Sequence, residues 1–63
     1  MKKVIPKLQE RYLHQNGNEY TVVMLANLDS TRPEYPITVI YQGADGKIWA
    51  KDLDNFNKKM TRV

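Results

Sequence analysis

The chain has 63 residues, a net charge of +3 and no cysteine, and its length fits one domain over residues 1–63. A domain of this size buries only about 60% of the surface of its unfolded chain, so its core is thin and self-association is a reasonable expectation. The lack of cysteine excludes disulfides and fits a reducing compartment, and a single histidine excludes a zinc site built from several Cys and His ligands. The mild positive charge permits a nucleic-acid partner without requiring one.

The N-terminal stretch MKKVIPKLQE has little periodicity and contains Pro6. We interpret residues 1–10 as an arm or a short helical turn that precedes the body of the domain at 11–63. Its lysines are not followed by the apolar run of a secretory signal, and no stretch approaches the roughly 18 apolar residues of a membrane span. These features favour a cytoplasmic protein and predict no membrane partner.

A β-hairpin is the first strong pattern. Asn16-Gly17 tolerates the positive φ of tight turns, and it stands between RYLHQ and EYTVVMLANL. Both faces of the second segment are partly apolar, which predicts a strand that bends or is buried on both sides. Strict alternation would place four of its residues on one face: Tyr20, Val22, Met24 and Ala26.

The middle of the chain predicts a loop and two strands. Two prolines in DSTRPEYP, residues 29–36, indicate a loop, and loops of this length often carry function. ITVIYQ and KIWAK then predict strands that are joined by the turn GADG. On the first of these strands we expect Ile37, Val39 and Tyr41 to share a face.

In the C-terminal part, the spacing of the apolar residues changes from that of a strand to that of a helix. Leu53, Phe56 and Met60 recur at helical spacing, and either Asp52 or Asp54 is placed to cap the helix. MTRV adds a last short strand. The order of elements predicts a mainly β fold, a small SH3-like barrel of antiparallel strands with one short helical turn near the C-terminus. The alternative is an open sheet covered by one helix.

These elements resemble a known family. GNEYTVV, YPITVIYQG and KIWAKDLDNF have the order and spacing of the motifs of domain-of-unknown-function family 1653, which consists of small bacterial and phage proteins. The family usually has an Arg-Pro pair where this chain has Lys51-Asp52, and the loop at 29–36 is more similar to a phage or prophage branch. The resemblance implies a small β-rich domain and no particular activity. It covers about residues 12–57 through Gly17, Asn18, Tyr20, Ala26, Val39, Tyr41, Trp49, Leu53 and Phe56.

Trp49 stands between Lys47 and Lys51 on one face of a predicted strand, and two interpretations compete. An exposed indole would stack on a nucleic-acid base, which contributes about 1 to 3 kcal/mol, while the lysines bind phosphates. A buried indole would be the largest part of a thin core, with the lysine stems beside it. We favour the buried interpretation, because a domain this small can hardly forgo that burial.

The other aromatic and basic residues divide into groups. We expect Tyr20 and Tyr41 in the core, and Tyr35 either as a contact anchor or as a lid. We expect Arg32 to be a solvated loop cation. Lys58, Lys59 and Arg62 form one basic cluster and Lys2, Lys3 and Lys7 form another, and the two would merge if the termini lie close together.

No catalytic pattern rises above background. His14 has Glu10 and Glu19 nearby in sequence, but no serine or cysteine nucleophile has a recognisable setting. Asp52 and Asp54 fit helix capping better than metal binding. We therefore expect no enzyme, no cofactor and no metal.

The main hypothesis is a non-enzymatic interaction module that binds a protein partner or its own copy through four loop residues: Arg32, Pro33, Tyr35 and Pro36. The alternative is a nucleic-acid-binding protein, which requires an exposed Trp49 and lysines that share its face. Its residues would be Lys47, Trp49, Lys51, Lys58 and Lys59.

Overall fold

A computed structural model describes residues 5–63 of the chain. In this range five antiparallel strands form one open sheet, accompanied by one short helix. The sheet order is β4-β3-β2-β1-β5, so β4 and β5 are its edges. The predicted mainly β fold is confirmed, and its arrangement is an open sheet with one helix. The elements are β1 (Arg11–His14), β2 (Glu19–Ala26), β3 (Thr38–Gly43), β4 (Ile48–Asp52), α1 (Leu53–Lys59) and β5 (Met60–Arg62).

The predicted hairpin of β1 and β2 is confirmed, although its loop is longer than a two-residue turn. The backbone N–H of His14 donates to the carbonyl of Asn18 at 2.9 Å. Gly17 has a φ of +90°, which glycine adopts without steric cost. The side chain of Asn16 accepts a hydrogen bond from the backbone N–H of Asn18 at 2.9 Å. The loop is therefore closed by one glycine and one asparagine side chain.

A β-bulge in β2 changes the side of the sheet on which Met24 lies, compared with the prediction. The register between β2 and β3 shifts between Val22 and Met24. Val22 is fully buried, whereas Met24 is 57% exposed and Leu25 packs against the core. The placement of Met24 on the face of Val22 is therefore wrong, because the extra residue of a bulge turns the following side chains over.

The core centres on an aromatic contact between the sheet and α1. The Phe56 ring is fully buried, and its centroid lies 4.9 Å from that of Tyr12 and 5.7 Å from that of Tyr41. Edge-on and tilted contacts of this kind stabilise aromatic clusters beyond the area they bury. The residues that recur at helical spacing, Leu53, Phe56 and Met60, are all buried. The remaining buried core residues are Val22, Val39, Leu53 and Met60.

Helix α1 begins at one of the two predicted caps. Asp52 has an extended backbone, and its carboxylate accepts hydrogen bonds from the side-chain Nδ2 and the backbone N–H of Asn55 at 2.6 and 3.2 Å. These two bonds hold the pKa of Asp52 below its ordinary value. Asp54 lies one position inside the helix, in the acidic first turn. The helix ends where Met60 starts the final strand.

Residues 5–10 are attached to the sheet without forming a helix or strand. Pro6 is buried. The Gln9 N–H donates to the carbonyl of Val22 at 2.8 Å, and the Val22 N–H donates to the carbonyl of Glu10 at 2.9 Å. This segment therefore continues the backbone contacts between β1 and β2.

The carboxylate of Glu10 joins the N-terminal segment to the C-terminal strand. It accepts hydrogen bonds from the backbone N–H of Lys7 at 2.8 Å and from the Tyr12 hydroxyl at 3.0 Å, and it lies 3.3 Å from the Nε of Arg62. The bond from Lys7 is the largest cause that lowers the pKa of Glu10. Lys7 and Arg62 belong to the two predicted basic clusters, and both contact the carboxylate of Glu10. Lys2 and Lys3 lie outside the described residues.

Candidate functional site

The connection between β2 and β3 folds back on itself. Asn27 has a φ of +61°, and its side-chain amide donates to the carbonyl of Pro36 at 3.1 Å. Within the loop the N–H of Tyr35 donates to the carbonyl of Arg32 at 3.1 Å. The Thr38 hydroxyl also donates to the Pro36 carbonyl, at 3.0 Å. These bonds give the loop a defined shape at both ends.

A groove separates this loop from the start of α1. The N–H of Leu53 donates to the carbonyl of Ile37 at 2.8 Å, and Thr38 pairs with Asp52, so the loop and the helix start lie side by side. The groove has a volume of about 420 Å³. We call it the loop groove. Arg32, Pro33, Tyr35 and Pro36 form one wall, and Asp52 and Asp54 stand on the other.

The loop groove brings together the four residues predicted to bind a partner. Tyr35 is 56% exposed, which fits a contact anchor better than a closed lid. Arg32 is exposed, as expected. The groove therefore carries a cation and an exposed aromatic ring on one wall and two carboxylates on the other.

The acidic wall was not predicted from the sequence. In the sequence, Asp52 and Asp54 fit only the role of helix caps. A signal for their position existed, because counting the ladder back from the GADG turn pairs Gln42 with Ile48 and then Thr38 with Asp52. That register places the start of α1 beside the end of the proline-bearing loop.

Trp49 is 50% exposed, so the favoured interpretation of a buried indole is wrong. Trp49 pairs with Tyr41, and residues opposite one another in an antiparallel ladder share a face. β4 is nevertheless an edge strand, so no further strand covers the outer side of Trp49 within residues 5–63. Among the other predicted core tyrosines, Tyr41 is buried and Tyr20 is partly buried against the core.

The lysines of the nucleic-acid alternative are divided between two places. Lys51 lies on the β4 edge with Trp49, and Lys47 directly precedes that strand. Lys58 and Lys59 lie in the last turn of α1, where the carbonyl of Lys59 accepts a hydrogen bond from the N–H of Gln15 at 3.1 Å. Gln15 belongs to the β1–β2 loop, and β1 is separated from β4 by two strands in the sheet order. The helix lysines therefore lie beside the β1–β2 loop rather than on the β4 edge.

A second hollow lies beside Trp49, with a volume of about 350 Å³. We call it the Trp49 hollow. The rings of Tyr20 and Trp49 and the acidic residues Glu19 and Asp45 line it, together with Gly43. Among the described residues its charged lining is entirely acidic, and neither of the two lysines that flank Trp49 contributes to it. Two carboxylates oppose the approach of a phosphate from this side.

His14 and Glu10 both make contacts within the fold. The Nδ1 of His14 accepts a hydrogen bond from the N–H of Asn16 at 3.0 Å, and the ring lies edge-on to Tyr20. His14 is thus engaged in the hairpin, and Glu10 bonds to other groups. Residues 5–63 contain no group of three or more His, Cys, Asp or Glu side chains that could hold a metal ion. In the same range no helix has the length and apolar character needed to cross a membrane.

Comparison with known proteins yields no relative. No protein-family model matches the chain, and no curated protein or solved structure matches it. The resemblance to domain-of-unknown-function family 1653 therefore stays a prediction that depends on the quoted motifs.

Proposed function

We propose that this chain is a non-enzymatic interaction module that binds an extended segment of a protein partner in the loop groove. One observation carries the proposal: exposed Arg32 and Tyr35 stand on one wall of a groove whose other wall holds Asp52 and Asp54. Tyrosine and arginine are enriched among the residues that contribute most to protein–protein binding. A groove with both signs of charge selects a partner segment whose charges are arranged in the complementary order.

The shape of the loop supports the same proposal. Pro33 and Pro36 each fix a backbone φ, and the side chain of Asn27 ties the loop to Pro36. A loop that is already ordered loses less conformational entropy when it binds, so more of the contact energy appears as affinity. We therefore expect the partner segment to change its conformation on binding, while the loop keeps its shape.

We also propose a finer description of the fold and its setting. The sheet would curve as in a small SH3-like barrel, supported by the return of β5 to pair with β1 and by the bulge in β2, because bulges increase local twist. The family resemblance supports a bacterial or phage accessory protein, and the lack of cysteine is compatible with the cytoplasm.

The second candidate function is nucleic-acid binding, and the exposure of Trp49 favours it. Lys51 lies on the same strand as the indole and Lys47 directly precedes it, and both would contact phosphates while a base stacks on the ring. The acidic lining of the Trp49 hollow weakens this candidate, and so does the position of Lys58 and Lys59 on α1, outside the lining of that hollow. We therefore rank it below protein binding.

The test is to select binding peptides from a random library on the immobilised chain and to map the selected peptides by amide NMR. We expect shifts at Arg32, Tyr35 and Asp54, and we expect the substitutions Arg32→Ala and Tyr35→Ala each to weaken binding about tenfold or more. Arg11→Ala is the matched control, because Arg11 is also exposed but lies on β1.

Three outcomes separate the candidates. Peptide shifts confined to the loop groove, lost in Arg32→Ala and kept in Arg11→Ala, would support the proposal. Peptides that bind elsewhere, or equally to both variants, would refute it. Shifts around Trp49 on addition of an oligonucleotide, with an affinity that falls steeply as salt rises, would establish the second candidate instead.

A further inference from the structure

The Trp49 hollow has a second aromatic wall that is held in place by its neighbours. The Tyr20 ring lies edge-on to Tyr41 with a centroid distance of 5.1 Å and edge-on to His14 with a centroid distance of 6.1 Å. Two edge-on contacts restrict the rotation of the Tyr20 ring. The hollow is therefore lined by one fixed ring and by the half-exposed indole of Trp49.

Gly43 lets an acid and this ring approach the same point of the backbone. A Cβ at Gly43 would lie 3.0 Å from the Oδ1 of Asp45 and 3.1 Å from the Cε1 of Tyr20, which is closer than side chains normally pack. The Oδ1 of Asp45 is also held by the backbone N–H of Lys47 at 3.0 Å. The carboxylate is thus positioned by the turn before any ligand arrives.

We propose that the Trp49 hollow binds the guanidinium group of an arginine side chain that a protein segment presents to it. The faces of aromatic rings attract cations, and tryptophan does so most strongly. Glu19 and Asp45 supply the opposite charge for the cation. The proposal goes beyond the loop groove, because it requires no residue of the connection between β2 and β3.

Arginine fits the hollow better than lysine or an anion. Its guanidinium is planar, stacks on aromatic faces and carries five N–H donors in a fork that matches carboxylates. Lysine offers a compact, strongly hydrated charge that gains less from a flat ring. A phosphate would have to approach Glu19 and Asp45, which are both acidic. The hollow therefore discriminates by shape as well as by charge.

The test uses the emission of Trp49, which is the only tryptophan in the chain. Blocked Gly-Arg-Gly is titrated into the full chain at low salt, in parallel with Gly-Lys-Gly and with the citrulline analogue, which is isosteric with arginine and uncharged. We expect a saturable change with Gly-Arg-Gly in the millimolar range, a weaker response to the lysine peptide and none to the citrulline peptide.

Charge-neutral variants locate the binding. Glu19→Gln and Asp45→Asn keep the shape of the side chains, and the amide introduced by Asp45→Asn retains an oxygen that can accept the bond from Lys47. We expect each to weaken binding about threefold to fivefold, whereas the control Glu34→Gln removes an exposed acid outside the hollow and leaves binding unchanged. Matching thermal unfolding curves would show that the variants are folded.

The outcomes are decisive for the hollow and separate from those for the loop groove. Equal responses to the arginine and citrulline peptides, or variants at Glu19 and Asp45 that bind like the original chain, would overturn the proposal. So would the absence of any saturable response to Gly-Arg-Gly. Because no library-selected peptide is involved, the loop groove can fail its own test while the hollow passes, and the reverse also holds.

Discussion

Tyr41 and Trp49 are direct cross-strand partners on one face of the same sheet, yet Tyr41 is 5% exposed and Trp49 is 50% exposed. Tyr41 has a strand on each side and contacts the rings of Tyr20 and Phe56. Trp49 is on the edge strand and has a neighbouring strand on one side within residues 5–63. For this pair, the edge position of β4 accounts for the difference in burial better than the hydrophobicity of the two side chains.

The same contrast divides the molecule into a closed side and an open side. The closed side is the cluster of Tyr12, Tyr41 and Phe56 between the sheet and α1. The open side is β4 with the loop groove and the Trp49 hollow beside it. Stability is expected to depend on the closed side, and binding on the open side.

The substitution Phe56→Ala should have the largest effect on stability. Removing a fully buried phenylalanine costs about 3 to 5 kcal/mol, and a domain of this length has a total free energy of unfolding of about 3 to 9 kcal/mol. We expect the free energy of unfolding, measured in urea by far-UV circular dichroism, to fall by about a third at least and up to complete loss of the folded state. Phe56→Leu is the control and should retain most of the stability. A small loss in Phe56→Ala would contradict the assignment of the closed side.

The substitution Trp49→Ala should cost much less, although it removes a larger side chain. Half of the indole is already exposed, so we expect a loss of about 1 kcal/mol in urea unfolding. In the original chain, acrylamide should quench the emission of Trp49 readily. A loss as large as that of Phe56→Ala, or an indole protected from acrylamide, would remove the distinction between the two sides.

The substitution Asp52→Ala tests the junction between the two sides. It removes the cap that bonds to Asn55, so α1 should fray and Phe56 should pack less firmly. We expect the midpoint of thermal unfolding to fall by several degrees. Asp52→Asn keeps an acceptor that suits this position and should behave almost like the original chain. Equal losses in both variants would show that the charge matters rather than the cap.

The smallest effect concerns Glu10 and appears only in acid. Hydrogen bonds from Lys7 and Tyr12, together with the charge of Arg62, lower the native pKa of Glu10 from its ordinary value of 4.5. A depressed native pKa contributes stability above about pH 4.5 that is lost as the pH falls through the native value. Glu10→Gln should therefore unfold at a midpoint that depends less on pH below that value. If Glu10→Gln leaves the pH dependence unchanged, the protonation of Glu10 does not affect the stability of the fold.

Much of the fold could be predicted because it depends on local patterns. The Asn16-Gly17 dipeptide marks the hairpin, and the spacing of Leu53 and Phe56 marks the helix. Strand order depends on contacts between residues far apart in the sequence. The sequence therefore did not show that Trp49 lies on an edge strand, and its exposure was predicted wrongly. The two partly apolar faces of β2 predict a bend without locating the bulge between Val22 and Met24, so the facing of Met24 was also wrong.

Only one of the two walls of the loop groove was predicted from the sequence. The wall formed by Arg32 and Tyr35 belongs to a continuous loop whose prolines and aromatic residue are visible in the sequence. The acidic wall depends on the register of β3 and β4, which brings Asp52 beside Thr38. The acids of the Trp49 hollow come from two different hairpins, so only the paired strands bring Glu19 and Asp45 together.

The exposed edge of β4 also bears on the pairing of this strand with a second copy. Ile48, Trp49 and Ala50 would offer an open template to the same strand of another copy. In an antiparallel pairing centred on Trp49, Lys47 of each copy would stand opposite Lys51 of the other, and like charges directly opposite one another are destabilising. In this register the two lysines would oppose the pairing of a second copy, whereas a strand that carries acids at these positions would be attracted.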